Sequence, residues 1–248
     1  MTATLLRAFR SLSGLRFAAI SGLLAVLLLI GEPTGAQAQP LQFDNAYKAE
    51  LASESAALRA RIQQWPAPLQ DMNQQISAAL RANDPAQAQR IAEALSQREP
   101  GNADIKNFLG KLQSINGQQA AAVKLFDEAI TLAPDNRWFY VNKAGAQAEL
   151  RDLPNALATA QALTARYPQW SIGLNLQAAL LDGLDRIPEA LKVYDQAVHA
   201  TPPSAQILTN QGLLLRRLGR QADARASYEA ALRAVSYTHL TLPTNREV

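Results

Sequence analysis

The chain has 248 residues, with 24 Lys and Arg against 21 Asp and Glu, no cysteine and two histidines. This excludes disulfides, iron–sulfur clusters and thiolate zinc sites, and leaves little from which to build a histidine-based catalyst or metal centre. Three arginines against one acid in the first 38 residues carry most of the net charge of +3, so the nearly neutral body gives no electrostatic reason to bind nucleic acid.

Residues 1–38 read as a secretory signal peptide. Arg7, Arg10 and Arg16 form a basic leader and Phe17 to Ile30 an apolar run. Pro33 then breaks the run, and Ala36-Gln37-Ala38 supplies a small-residue cleavage motif. A membrane-spanning helix needs about 20 apolar residues; this run is shorter, and an uncleaved anchor is the alternative. Cleavage after Ala38 starts the mature chain at Gln39 and places it outside the cytoplasm, in the periplasm if the source is Gram-negative.

Residues 39–68 are expected to form a leading helix and a linker. Leu51, Ala52, Ala56, Leu58 and Ile62 share one helical face, and Pro66 and Pro68 part it from the rest. The helix is expected to pack on the unit that follows it.

Residues 69–234 repeat. Pro100, Pro134, Pro168 and Pro202 stand 34 residues apart, framing units at 69–102, 103–136, 137–170, 171–204 and from 205. Position 20 of each unit is Ala88, Ala122, Ala156, Ala190 and Ala224, and position 8 is Ile76, Gly110, Ala144, Ala178 and Gly212. Position 24 is Ala92, Phe126, Ala160, Tyr194 and Tyr228, and position 27 is Leu95, Ala129, Leu163, Ala197 and Ala231. Each unit reads as two helices with a turn near Asn83, Gly117, Arg151-Asp152, Gly183 or Gly219. Small side chains at positions 8 and 20 let paired helices approach closely, and position 24 fills the space that remains. The terminal proline has no amide donor and stops the second helix. Asp135-Asn136 and Ser171 are expected caps for the next helix. One unit cannot bury enough to order itself, so the units must stack. The unit at 69–102 departs most, with bulky Ile76 and no aromatic at position 24.

This pattern resembles the tetratricopeptide repeat family. Residues 107–136 carry the resemblance best, through Leu109-Gly110, Gly117, Ala122, Phe126, Ala129 and Pro134, and residues 210–232 nearly as well. It implies an all-α fold, a right-handed superhelical solenoid of antiparallel helix pairs with about four to five repeats. It also implies a concave groove, lined by the first helix of each unit, that binds a protein or peptide segment. Carried over position by position, the groove residues are Asn107, Lys111, Trp138, Asn142, Asn175, Asn210, Arg216 and Arg217. An asparagine amide both donates and accepts and so can grip an extended backbone; Asn142 and Asn210 stand at position 6, where the family makes such grips. Trp138 is either an exposed anchor or a cover on the neighbouring unit. Arg216 and Arg217 either meet an acidic ligand segment or are simply solvated. The family's clamp for a terminal carboxylate is not matched, because Asn107 and Lys111 are interchanged relative to it.

Chemistry is not apparent elsewhere. Gly173, Gly183 and Gly219 occur singly and form no phosphate loop. Asp127 and Glu128 read as a solvated outer face, and His199 as a helix-end cation. The expectation is an exported adaptor or scaffold for a protein or peptide partner, with no enzymatic activity, no cofactor, no metal and no nucleic acid, and with the membrane involved only through export. The alternatives are the scaffold part of a longer envelope polysaccharide-export or secretion component, or of an enzyme whose catalytic domain follows.

Residues 235–248 break the frame, since Ser236 stands where the fifth unit calls for proline. "VSYTHLTLPT" resembles the translation of a transposon-end sequencing adapter. This tail is therefore expected to be artefactual, with natural sequence missing beyond Ala234.

Overall fold

A computed structural model describes residues 45–201 and 204–240; the leader at 1–38, Pro202 and residues 241–248 lie outside them. Among the described residues the elements are α1 (Asn45–Gln63), α2 (Ala67–Arg81), α3 (Pro85–Arg98), α4 (Ala103–Ile115), α5 (Gln119–Leu132) and α6 (Arg137–Glu149). They continue with α7 (Leu153–Arg166), α8 (Ser171–Gly183), α9 (Ile187–Ala197), α10 (Ala205–Arg217) and α11 (Gln221–Leu240). From α2 onward each helix packs on the next, giving a solenoid of five antiparallel pairs. The second helices start at Pro85, Gln119, Leu153, Ile187 and Gln221, so the 34-residue frame holds throughout. Buried side chains form a string of clusters along the array instead of one centre.

The turn inside each pair is the same device five times. Position 15 is left-handed at Asn83 (φ 58°), Gly117 (79°), Arg151 (63°), Asp185 (57°) and Gly219 (75°). The next N–H then donates five residues back: Asp84 to Ala79, Gln118 to Gln113, Asp152 to Gln147, Arg186 to Leu181 and Arg220 to Leu215, at 2.8–3.0 Å. This bond closes the first helix. The same residue opens the second helix, and at Asp84 and Asp152 its side chain caps that helix by accepting from Gln87 N and Asn155 N. Two expectations are corrected here. Gly183 is the last residue of α8, and Asp185 makes the turn, because the reversal needs a left-handed residue at position 15, which an aspartate tolerates. Ser171 does not cap α8; Trp170 holds the cap position and the Ser171 hydroxyl is buried without a partner. Asn136 does cap α6, accepting from Trp138 N at 3.0 Å.

In four of the five units the helix pair sets a small residue against a large one at positions 8 and 24; in the third, Ala144 and Ala160 are both small and both buried. A Cβ on Gly110 would lie 2.7 Å from Cε1 of Phe126, and one on Gly212 would lie 2.6 Å from Cε1 of Tyr228. The aromatic rings thus rest directly on glycines. Where position 24 is Ala92, position 8 is Ile76, and both lie in one buried cluster. The first unit therefore keeps the packing with the bulk moved to the opposite helix. Position 20 is buried in all five units.

Helix α1 does not stack on the first unit as expected. It lies across the first helices of the second and third units, near their N-termini, and none of the close helix–helix pairings involves it. Ala52 and Ala56, assigned to its inner face, are exposed. The inner stripe is instead Tyr47, Glu50, Leu51, Glu54, Ser55, Leu58, Arg61 and Ile62. At the other end α11 runs six residues past Ala234 to Leu240.

Replacing Gly110 with Ala should cost about 1–3 kcal/mol in equilibrium denaturation, the usual penalty for overpacking. Combined with Phe126→Leu, the loss should fall short of the sum of the two single losses by at least about 1 kcal/mol, because the two positions share one contact. Ala122→Leu has no such partner to yield and should lower the melting temperature outright, by about 4–8 °C per kcal/mol lost if the block is about 100 residues.

Candidate binding groove

The first helices α4, α6, α8 and α10 stand side by side, and their asparagines face one another at intervals of 35 residues. The Asn142 amide donates to Asn107 Oδ1 at 2.8 Å, and the Asn210 amide donates to Asn175 Oδ1 at 3.0 Å. Between these two rungs the equivalent residues are Val141 and Leu176, buried in one cluster. Arg217 pairs with the buried carboxylate of Asp182 at the same interval. Of the residues assigned to the groove, Asn107, Asn142, Asn175, Asn210 and Arg217 are thus joined in pairs from one unit to the next. Each rung uses one amide N–H and one carbonyl oxygen; the Asn107–Asn142 rung is half-buried, whereas Asn175 and Asn210 are buried and Asn210 Oδ1 also accepts from Gln206 Nε2 at 2.9 Å. Arg216 is exposed on the last turn of α10.

Trp138 is not an open anchor. It is 6% exposed, wedged between Tyr47 of α1 and Trp170, with edge-on ring contacts at 5.8 and 5.4 Å. It faces the groove and is covered there by α1. Next to it, the Arg137 guanidinium lies 4.5 Å from the centre of the Trp170 ring and donates to Glu50 Oε2 at 2.5 Å. The Trp170 indole N–H donates to the same oxygen at 3.3 Å. One turn further along α1, Glu54 accepts from the Asn136 amide at 3.1 Å and from Arg61 at 3.1 Å. Arg61 closes the row with a two-pronged contact to Asp104 at 2.7 and 2.9 Å. A cleft of about 770 Å³ opens beside this row, with Glu54, Arg61, Asp104, Asn136, Arg137 and Tyr167 on its walls.

Lys111 is accessible to solvent yet densely surrounded, as a side chain in a concave channel must be. Desolvation lowers its ammonium pKa, and the neighbouring charge of Glu54 opposes that shift. Burial pushes the Tyr47 phenol up to about 12. Glu149 is raised by desolvation, with a hydrogen bond from Gln119 acting against it. Asp127 and Glu128 pair with Lys143 and Lys106. His199 is exposed just past the end of α9, its Nδ1 2.9 Å from the Asp195 carbonyl oxygen. No group of three His, Asp or Glu side chains suited to a metal ion occurs among the described residues.

Tyr47, Glu50, Glu54, Arg61, Asn136, Arg137 and Trp170 were not assigned to the groove from sequence. The available signal was the spacing of Tyr47, Glu50, Glu54 and Arg61, which repeats on one helical face.

The Tyr47 shift gives a pH test. Its folded pKa lies above the ordinary phenol value of about 10, so its contribution is fully present below pH 10 and lost as pH rises towards about 12. Docking of α1, followed by tryptophan fluorescence, should hold to about pH 10 and loosen above it. Tyr47→Phe should remove that part of the alkaline transition.

A family model described as tetratricopeptide repeat matches residues 73–137 and 175–237. Among curated proteins, a heat shock protein sti1 homolog of Schizosaccharomyces pombe is 30% identical over 87 residues, 35% of this chain and 15% of that protein. Protein FlbA of Caulobacter vibrioides is 30% identical over 125 residues, 48% of this chain and 21% of that protein. The human mitochondrial import receptor subunit TOM70 is 27% identical over 123 residues, 47% of this chain and 20% of that protein. The chain thus spans about a fifth or less of these relatives. Among solved structures, MamA from Desulfovibrio magneticus RS-1 superposes with a TM-score of 0.58 at 17% identity, covering 68% of this chain and 95% of that one. A repeat protein from Parabacteroides merdae gives 0.59 at 17% identity, covering 67% of this chain and 66% of that one. At these identities the likeness is one of fold.

Proposed function

Because this chain belongs to the tetratricopeptide repeat family, we propose that it is an exported scaffold that captures a segment of another protein in the groove formed by its first helices. The observation that carries this reading is the seat beneath α1. Two tryptophans, an arginine stacked on one of them and the Asn136 amide already hold a helix there by side-chain contacts. Aromatic and arginine side chains are where binding energy concentrates at protein interfaces. One relative is by its name a subunit of an import receptor, which fits a role in protein capture. Export is supported by the basic, apolar and small-residue sequence of residues 1–38. The short span of the curated relatives favours one further reading, in which the array is the scaffold portion of a longer envelope polysaccharide-export or secretion component, or of an enzyme.

Two measurements test this. Residues 1–38 fused to alkaline phosphatase should give periplasmic activity in a Gram-negative host, and an inactive fusion contradicts export. Asn142→Ala should reduce capture of the partner about five- to tenfold, the worth of a hydrogen bond of about 1 kcal/mol, with helicity intact. Equal capture removes Asn142 from the site.

A further inference from the structure

Resting on this protein-binding reading, we propose that the seat now filled by α1 is a receptor for an amphipathic helix of a partner protein. The partner helix carries an aromatic residue, carboxylates three and seven positions later and a basic residue fourteen positions later. Helix α1 is its built-in competitor.

The chemistry of the seat defines the ligand. Trp138, backed by Trp170, presents a ring to the edge of an incoming aromatic, the part that Tyr47 plays now. Arg137 is fixed over Trp170 and aimed at a carboxylate, which Glu50 supplies. The Asn136 amide is equally preorganised, because its other atom, Oδ1, caps α6. Lys111, crowded in the channel, gains from a nearby anion, which Glu54 provides. At the far end Asp104 takes a base through both its oxygens. The seat is therefore cationic and aromatic at one end and anionic at the other. It reads both the spacing and the direction of a helix, since residues 47, 50, 54 and 61 follow one face.

The way α1 is held makes it exchangeable. The repeat helices lock together through glycine and alanine with rings laid upon them. Helix α1 enters no such pairing. Tyr47 is its one side chain counted as buried among those described, and the rest of its inner stripe is half-buried. Its ion pairs are part-exposed, with Arg61 40% and Arg137 35% accessible, so water and salt compete for them. Its short link to α2, residues 64–66, adds to these contacts a high effective concentration over the seat. A partner helix of the same pattern must bind well enough to overcome that tether.

The test uses the full chain carrying Tyr47→Ala, Glu50→Ala and Glu54→Ala, which empties the seat without touching the array. The probe is a fluorescent synthetic peptide with the sequence of residues 45–63, followed by anisotropy. The loosened chain should bind it at least tenfold more tightly than the unaltered chain does. A peptide with Glu50→Lys and Glu54→Lys should bind at least tenfold more weakly than the unaltered peptide. Equal binding of the two peptides, or no saturable binding to a loosened chain with unchanged far-UV circular dichroism, overturns the proposal. A second measurement does not depend on the loosened chain. Arg137→Glu should speed hydrogen exchange across α1 at least fivefold, and Glu50→Arg added to it should restore the original rate. Exchange unaffected by Arg137→Glu also overturns the proposal. Such results bear on the α1 seat alone; capture through the asparagine rungs is read separately from Asn142→Ala.

Discussion

Everything in this molecule follows from how closely two helices of one unit can approach. Phe126 lies on Gly110 and Tyr228 on Gly212 with no room for a methyl group, while the alanines at position 20 keep the facing surface flat. That approach is short-range and steric, so it repeats wherever the sizes match. The bulk can sit on either helix, with Ile76 opposite Ala92 as with Gly110 opposite Phe126, while the third unit sets Ala144 against Ala160 and buries both. The left-handed residue at position 15 works with it. It reverses the chain in the same few residues each time, so that every second helix returns at the same place. With pairing and reversal both fixed, the first helices have to line up along one side, and a groove results.

Within the groove a different physics takes over. Contacts between units are polar rungs, asparagine to asparagine and arginine to aspartate, separated by an apolar rung of Val141 and Leu176. Contacts to α1 are charges and aromatic edges. A rigid packed frame thus carries a surface whose interactions are individually modest and responsive to salt and pH. Such a division suits a scaffold, in which the frame keeps its shape while its occupant changes.

The frame was legible in the sequence because its determinants recur at one interval and act between residues only tens of positions apart. The alanine column and the units' boundaries could be read from the prolines alone. The turn at Asp185 was misplaced onto Gly183 because glycine advertises a left-handed conformation and aspartate does not, although the frame itself pointed to position 15. The groove asparagines were legible as a lining, but their pairing was not, since it runs at 35 residues across units and not at the repeat's own 34. Least legible was the seat of α1. Glu54 meets Asn136 across 82 residues and Glu50 meets Trp170 across 120, with no periodicity to announce either contact. The apolar pattern of α1 suggested a face through Ala52 and Ala56, yet its carboxylates turn inward, because the surface they meet is cationic.

The central claim is that one packing rule, repeated, places every unit by the same step. The chain has no cysteine, so pairs of spin labels can be introduced cleanly at position 22, which is exposed in the second helix of each unit as Arg90, Lys124, Ala158, Lys192 and Ala226. Double electron–electron resonance on the pairs 90/158, 124/192 and 158/226 spans two units each time. The account predicts three narrow distance distributions centred on a common value. Distributions that are broad, or centres that differ from pair to pair by more than the length of the label, would contradict it.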